Sequence, residues 1–357
     1  MSESFPTKLQ RWIRKHLRYV IILIVIAIGI SAILTFPASQ QNVLGWLVSI
    51  TMQMATPLVL TGLGGMFSER GGVVNIGLEG MMLMGAYTGA AVAWYVGDPL
   101  LGVLAACTSG ALLAAVHGVI CVKFKGNHIV SGTGVILFGT GFSTIMLELT
   151  WNRKGQGDLV SNTIPDIVIS PDDPIFGWIR THPFFGPAFS VISPVVIFMF
   201  VITIISWYVL YRTPFGLRLR AAGEDPSTLD SAGASVEWTR VLGVIISGAF
   251  AGLGGAYLSI GFGSAFAKQM TSGRGFIALA AMIFGNWTPT GVLGAGLFFG
   301  FLDGLNYFIQ IYFPVLLPFS NFIAMLPFVL VVIALGLIRR SVPPKAIAIP
   351  YEKEKKG

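Results

Sequence analysis

The chain has 357 residues, 54% of them hydrophobic and only 11% charged, with a mean hydropathy of +0.77. A soluble domain carries roughly 25% charged residues, so this composition excludes an ordinary soluble enzyme and points to one large membrane domain. The formal net charge of +7 does not mark a nucleic-acid binder, because the basic residues gather at the ends of apolar runs.

Lys8, Arg11, Arg14, Lys15 and Arg18 make a basic segment, 1–18, ahead of the first apolar run, Tyr19–Phe36. That run is long for a signal peptide and no A-x-A site follows it, so it reads as an anchor with the N-terminus inside. Further runs long enough to cross ~30 Å of hydrocarbon follow at Val43–Met66, Val73–Val96, Pro99–Val122, Ile129–Trp151, Ala188–Tyr211, Val241–Ile260, Gly275–Trp287, Val292–Tyr312 and Phe322–Ile338. The expected fold is an all-α integral membrane protein of about ten transmembrane helices. A single domain would cover 19–340, with an external loop at 152–187, a cytoplasmic loop at 212–240 and a cytoplasmic tail at 341–357. This arrangement leaves only Arg153, Lys154, Arg180, Lys268 and Arg274 outside, and that asymmetry supports both termini inside.

Cys107 and Cys121 share one run, about 21 Å apart on a helix and beyond disulfide range. His16, His117, His128 and His182 have no metal-ligand spacing, so neither metal nor cofactor is expected.

The stretch "SERGGVVNIGLEG", Ser68–Gly80, contradicts a plain membrane helix. A charge at the bilayer centre costs roughly 2.5–3.5 kcal/mol, and glycine loosens helices. Gly71, Gly72, Gly77 and Gly80 allow a break, which is tolerated at membrane depth where it lines a cavity. Asn75 and Glu79 lie inside the apolar run and are expected on the translocation path with Gly77 and Gly80. Glu69 and Arg70 would point apart, and are read as gate or structural charges. "GRGFIALAAMIFGNW" from Gly273 also opens on a glycine turn, five spans further on. An odd offset puts the two turns on opposite faces, the sign of an inverted repeat. Asn286, Asp303 and Asn306 complete the candidate path. The pairs Gly85/Gly89, Gly248/Gly252, Gly296/Gly300 and Gly300/Gly304 read as helix packing, and Met81, Met82 and Met84 as adaptable packing. Trp46, Trp94, Trp151, Trp178 and Trp287 read as interfacial anchors.

In the loop Arg212–Arg240, Asp225 and Pro226 form an N-cap and N1 pair. Leu229, Ala232, Gly233 and Val236 follow at helical spacing, giving a short helix with a mildly apolar face. No G-x-x-x-x-G-K-[ST] occurs in the chain, so nucleotide would be bound by another polypeptide.

"FSERGGVVNIGLEGMMLMGAY" (Phe67–Tyr87), "RAAGEDPSTLDSAGASVEWTRVLGVIISGAFAGLGGAYLS" (Arg220–Ser259) and "GRGFIALAAMIFGNWTPTGVLGAGLFFGFLDGL" (Gly273–Leu305) together resemble permease subunits of bacterial ABC importers, in the branched-chain amino acid, ribose and nucleoside group. The first of them is most similar to nucleoside-importer permeases. The resemblance covers roughly Val43–Arg340. It implies that Gly223, Glu224, Asp225, Pro226, Leu229, Ala232 and Gly233 form a coupling helix seated on an ATPase subunit. It also implies a second related permease, a heterodimer being favoured over a homodimer, and an extracytoplasmic substrate-binding lipoprotein. The location would be the bacterial cytoplasmic membrane, and the solute a small neutral polar molecule, most readily a nucleoside. A flavin, a ribose-like sugar or a branched-chain amino acid are alternatives. A secondary transporter driven by H⁺ or Na⁺ would not need the elbow at 212–240, and a membrane-embedded enzyme lacks a nucleophile–base pair.

Overall fold

The computed structural model describes residues 35–312, 314–319 and 342–352, with Phe322, Met325 and Val329. The basic N-terminal segment, nearly all of the first expected span and most of the tenth lie outside the described residues.

Among the described residues twelve α-helices follow in order: α1 Ala38–Arg70, α2 Leu78–Val96, α3 Pro99–Val122, α4 His128–Trp151, α5 Gly177–Thr181, α6 Phe185–Phe189, α7 Pro194–Arg212, α8 Pro214–Glu224, α9 Pro226–Ser231, α10 Val236–Ala256, α11 Arg274–Phe284 and α12 Pro289–Tyr312. A π-helical turn, Tyr257–Phe262, continues α10, and the two-residue strands β1 (Ile167–Val168) and β2 (Val191–Ile192) pair with each other.

Two compact units are distinguished: residues up to Ser49 with Val168–Val191, and Ile50–Ile167 with the chain from Ile192 onward. In the first, Asp173 accepts the amides of Ile175 and Phe176 at 2.9 and 2.8 Å, which starts the turn into α5. Trp178 then packs edge-on against Phe185 at 5.6 Å.

In the second unit, α2, α3 and α10 form the tightest-packed group. A Cβ on Gly85 of α2 would collide with the backbone of Gly252 in α10, and one on Gly110 of α3 with Gly248. Lipid gives apolar helices little drive to associate, so close backbone approach through small residues supplies the packing. Gly300 of α12 does the same against Ala55 of α1. The G-x-x-x-G pairs are therefore packing surfaces.

Among the described residues, six helices are long and apolar enough to cross a membrane: Ala38–Arg70, Pro99–Val122, His128–Trp151, Pro194–Arg212, Val236–Phe262 and Pro289–Ile311. The expected third and eighth spans form α2 and α11, which fall outside that set. The reason is physical. Twelve of the 19 residues of α2 are buried by other helices, so this helix need not be apolar to be stable, and α11 has only 11 residues, about 16 Å of rise. The boundary between second and third spans also differs from expectation. α1 continues through Glu69 and Arg70, the break runs from Gly71 to Gly77, and helix resumes only at Leu78. Trp151 and Trp287, expected as interfacial anchors, are instead buried, at 6% and 4% exposure, because partners inside the fold enclose both rings.

A valine at Gly255 would drive its side chain into the Met82 carbonyl, whereas Gly134 has no atom within 4 Å of an added Cβ. Gly255→Val should destabilise the fold by about 1–3 kcal/mol and Gly134→Ala should not. The monodisperse fraction and unfolding temperature of the detergent-extracted protein check this.

Candidate functional site

The break between α1 and α2 is buried non-helical backbone, and each of its polar groups needs a partner. Ser68 donates its hydroxyl to the Val73 carbonyl at 2.7 Å, and Val73 N returns a bond to Ser68 O at 3.1 Å. Two histidines then clamp the next residue. Val74 N donates to His128 Nδ1 at 3.1 Å, and His117 Nε2 donates to Val74 O at 3.1 Å. A carbonyl only accepts, so His117 carries its proton on Nε2, and its Nδ1 pairs with Ser131 Oγ at 2.8 Å. Asn75 is fully buried. Its Nδ2 donates to Ser247 Oγ at 2.9 Å, while its Oδ1 has no partner among the described residues.

Glu79 stands one residue into α2 and closes the N-terminus of α11. Its Oε1 accepts from Thr271 Oγ1 at 2.6 Å and Gly273 N at 2.9 Å, and its Oε2 from Gly275 N at 2.6 Å. A carboxylate there meets both the unsatisfied amides and the positive end of the helix dipole. Gly273, at φ +82°, turns the chain into α11. A Cβ on Gly275 would lie only 2.6 Å from Glu79 Cα, so glycine is required for the two helix starts to meet. Next to Gly275, Arg274 pairs with Asp303 of α12 at 3.3 Å. Glu79 and Asp303, predicted from separate spans, thus both join the beginning of α11. A cleft of about 380 Å³ opens beside Glu79, lined also by Thr140, Lys268, Gln269, Thr271 and Ser272 among others.

The other predicted path residues lie elsewhere. Asn75 and Glu79 do not share a helical face, because helix begins after Asn75. Gly77 and Gly80 pack on α4, where an added Cβ would meet Val135 at 2.9 and 2.5 Å. Asn306 accepts from Gln310 Nε2 at 3.1 Å. Asn286 is exposed in the α11–α12 turn, its Oδ1 accepting from Val342 N at 3.0 Å.

Glu69 and Arg70 both end on one residue. Trp287 Nε1 donates to Glu69 Oε2 at 2.6 Å, and Arg70 Nε donates to Trp287 O at 2.8 Å. Asn286 and Trp287 both have φ +51°. For a bulky residue such a conformation costs about 1–3 kcal/mol and persists only where neighbours fix it. Glu69 is 4% exposed, so its carboxylate is shielded from solvent, while Arg70 is half-buried.

The elbow follows α7. Asp225 caps α9 as the Asp–Pro pair predicts, accepting from Ser227 N and Thr228 N at 3.1 and 3.3 Å. Hydrogen bonds from the Ser227 and Thr228 side chains push its pKa down to about 2. The stabilisation this gives is lost only as pH falls through that value, so the cap stays charged at any pH a cell membrane meets. The helix is shorter than the expected 223–236 stretch. It ends at Ser231 because Gly233, at φ +79°, terminates it. Gly223 and Glu224 belong to α8, and Gly223 is pressed against the Arg70 carbonyl. Leu229 turns inward onto Ala222 and Val236, so it is not part of an outward apolar face. Glu224, Asp225, Ala232 and Gly233 are exposed. A groove of about 570 Å³, lined by Leu217, Thr228, Ala232, Gly233 and Trp238 among others, runs along this face.

The family described as "Branched-chain amino acid transport system / permease component" matches residues 47–335. The chain belongs to this permease family. The permease is 39% identical to the guanosine ABC transporter permease protein NupQ of Bacillus subtilis (strain 168), over 88% of this chain and 99% of NupQ. It is 36% identical to the nucleoside ABC transporter permease protein NupC of Lactococcus lactis subsp. cremoris (strain MG1363), with the same coverage of each chain. It is 38% identical to the putative glucose ABC transporter permease protein TsgC13 of Haloferax volcanii, over 73% of this chain and 76% of TsgC13. The same B. subtilis and L. lactis strains each hold a more distant relative, NupP at 28% and NupB at 25% identity. No solved structure matches the permease.

His117, His128, Ser247, Thr271 and Arg274 were not singled out by sequence reasoning. The signal available for the histidines was a titratable ring inside or at the edge of an apolar run, where such residues are costly; spacing alone tests only for metals.

Glu79→Gln keeps one carbonyl oxygen for these donors but turns an NH₂ onto at least one of the backbone N–H groups. It should lower the stability of the purified permease by about 1–3 kcal/mol, whereas Thr271→Val, which removes a single donor, should cost about 1 kcal/mol. Thermal unfolding in detergent checks the ranking.

Proposed function

We propose that this permease is the membrane-spanning subunit of an ATP-driven importer of nucleosides, with ATP hydrolysed by a separate ATPase subunit. The observation that carries the reading is the identity to NupQ, 39% over 99% of that protein. The permease crosses the cytoplasmic membrane of a bacterium ten times with both termini inside, as one domain over 19–340. The meeting of the α2 and α11 starts, each after a glycine turn, supports an inverted repeat.

Solute passes beside the start of α11. The cleft at Glu79, Thr140, Lys268 and Thr271 offers polar contacts to an uncharged heterocycle–sugar molecule, and weak contact suits a conduit that must release what it admits. Glu79 and Asp303 hold the α11 end of that route in place, while Glu69 and Arg70 pin the turn at Trp287 as an inner gate. Asn75, Gly77, Gly80, Asn286 and Asn306 line or brace the route as it opens and closes. Outside, the 152–187 segment receives a substrate-binding lipoprotein. A second, related permease completes the membrane pore; the paired names NupQ/NupP and NupC/NupB support a heterodimer.

Inside, the exposed side of residues 223–233, with its groove at Trp238, seats the ATPase. Closure of the ATPase pair would move this elbow, and Gly223 presses on the Arg70 carbonyl next to the gate. That contact gives the movement a direct route to Trp287.

Membrane vesicles loaded with ATP should take up guanosine saturably, and excess unlabelled glucose should not suppress it. Uptake that survives ATP depletion but collapses with an uncoupler would replace the ATP-driven reading with an ion-coupled one. Ala232→Glu, on the exposed face, should abolish co-purification of the ATPase subunit while the permease stays membrane-inserted, read by affinity pull-down from solubilised membranes.

A further inference from the structure

The segment Val342–Glu352 is not a loose tail. Its N–H and C=O groups bond to four separate parts of the fold, and two of its side chains make further contacts. Val342 N donates to Asn286 Oδ1 in the gate turn at 3.0 Å. Ala346 N donates to Gly223 O, at the end of α8, at 2.8 Å. Two residues later Ala348 N donates to Gly72 O, in the break after α1, at 2.9 Å. Arg240 of α10 donates through Nη1 to Ile349 O at 2.8 Å and through Nη2 to Ala222 O at 3.0 Å. Tyr351 packs onto the Ala222, Leu229 and Val236 cluster beneath α9. Glu352 pairs with Lys125, in the α3–α4 connection, at 2.6 Å.

Two of the residues at the centre of these contacts are enclosed. Arg240 is 2% exposed and Ala346 8%, and Gly72, at φ +90°, leaves room for the Ala346 carbonyl and the Arg240 guanidinium, each about 3 Å from where a Cβ would stand. Pro343 and Pro344 keep the approach extended. Ala348 itself sits at φ +59°, a conformation that an L-residue holds only where the surroundings impose it.

We propose that Val342–Glu352 is a transmission strap, joining the ATPase-facing elbow to the inner gate so that the two move together. Within three residues it bonds to Gly223 on the elbow and to Gly72 beside the gate, and its start bonds to the gate turn itself. A second bridge of this kind matters mechanically. The contact of Gly223 with Arg70 can only push, whereas hydrogen bonds from one turn, at residues 345–348, to both sides also transmit a pull. This inference rests on the reading of 223–233 as the ATPase seat.

The test uses the whole transporter, permease with its ATPase subunit, in proteoliposomes. Ala348→Pro removes the N–H bonded to Gly72 and cannot adopt a positive φ; a chain ending at Lys345 removes the bonds to Gly223, Gly72 and Arg240 together and leaves the Val342 bond to the gate turn in place. Lys345→Ala, exposed and outside these contacts, is the control. Both strap variants should keep the ATPase bound and hydrolysing ATP, while solute taken up per ATP falls about ten-fold, and the control should match the unaltered protein. Unchanged uptake per ATP in both strap variants overturns the strap and leaves the elbow reading intact. Loss of ATPase co-purification in both also overturns it, since the segment would then only hold the elbow's shape. If instead Ala232→Glu leaves ATPase binding and uptake unchanged, it is the elbow reading that fails.

Discussion

A stretch of backbone that leaves the helix inside a membrane bundle has no water to satisfy it, and the architecture around Gly71–Gly77 is organised by that constraint. Ser68, His117, His128 and Ser247 reach the break from α1, α3, α4 and α10. These helices must therefore stay in register with one another for the break to persist. The glycine contacts among α2, α3 and α10 bring the backbones close enough for those side chains to arrive. Packing and polar satisfaction are two aspects of one requirement here.

The break has a counterpart at the start of α11. An 11-residue helix rises only about 16 Å and needs the turns at its ends to span the hydrocarbon, so its N-terminal amides lie inside the bundle and need a partner. Glu79 meets them from α2, and the Arg274–Asp303 pair fixes the same end to α12. A carboxylate that would be expensive alone becomes the partner that a short helix needs. The other end of α11 runs into the strained turn at Asn286 and Trp287, which Glu69 and Arg70 hold. Both ends of this short helix are thus fixed by acidic and basic groups from α1, α2 and α12. It is a rigid piece set between the route proposed for solute and the end proposed to face the cytosol.

At that end the elbow, the segment proposed as a gate and the C-terminal segment share backbone contacts. Gly223 touches Arg70, Ala346 bonds to Gly223, and Ala348 bonds to Gly72. A displacement of α9 therefore reaches the break through bonded neighbours, without relying on mobile side chains.

Much of this was legible in the residues. The apolar runs located α1–α4, α7, α10 and α12, Asp225–Pro226 located the start of α9, and the glycine-rich stretch marked the break, because each depends on local chemistry: hydropathy, a cap, a missing Cβ. Local signals could not tell that Trp287 turns inward to Glu69, that Leu229 faces its own cluster, that His117 and His128 clamp one peptide, or that residues 342–352 bind back onto Gly72 and Gly223. Those outcomes depend on which segments meet across the bundle, and partners as far apart as Glu69 and Trp287 leave no mark in either one's neighbours in sequence. The sequence alone determined a membrane bundle with one interrupted helix and an exposed elbow. Only the tertiary structure decided what satisfies the interruption, since a buried polar group is paired by whatever the fold brings within about 3 Å.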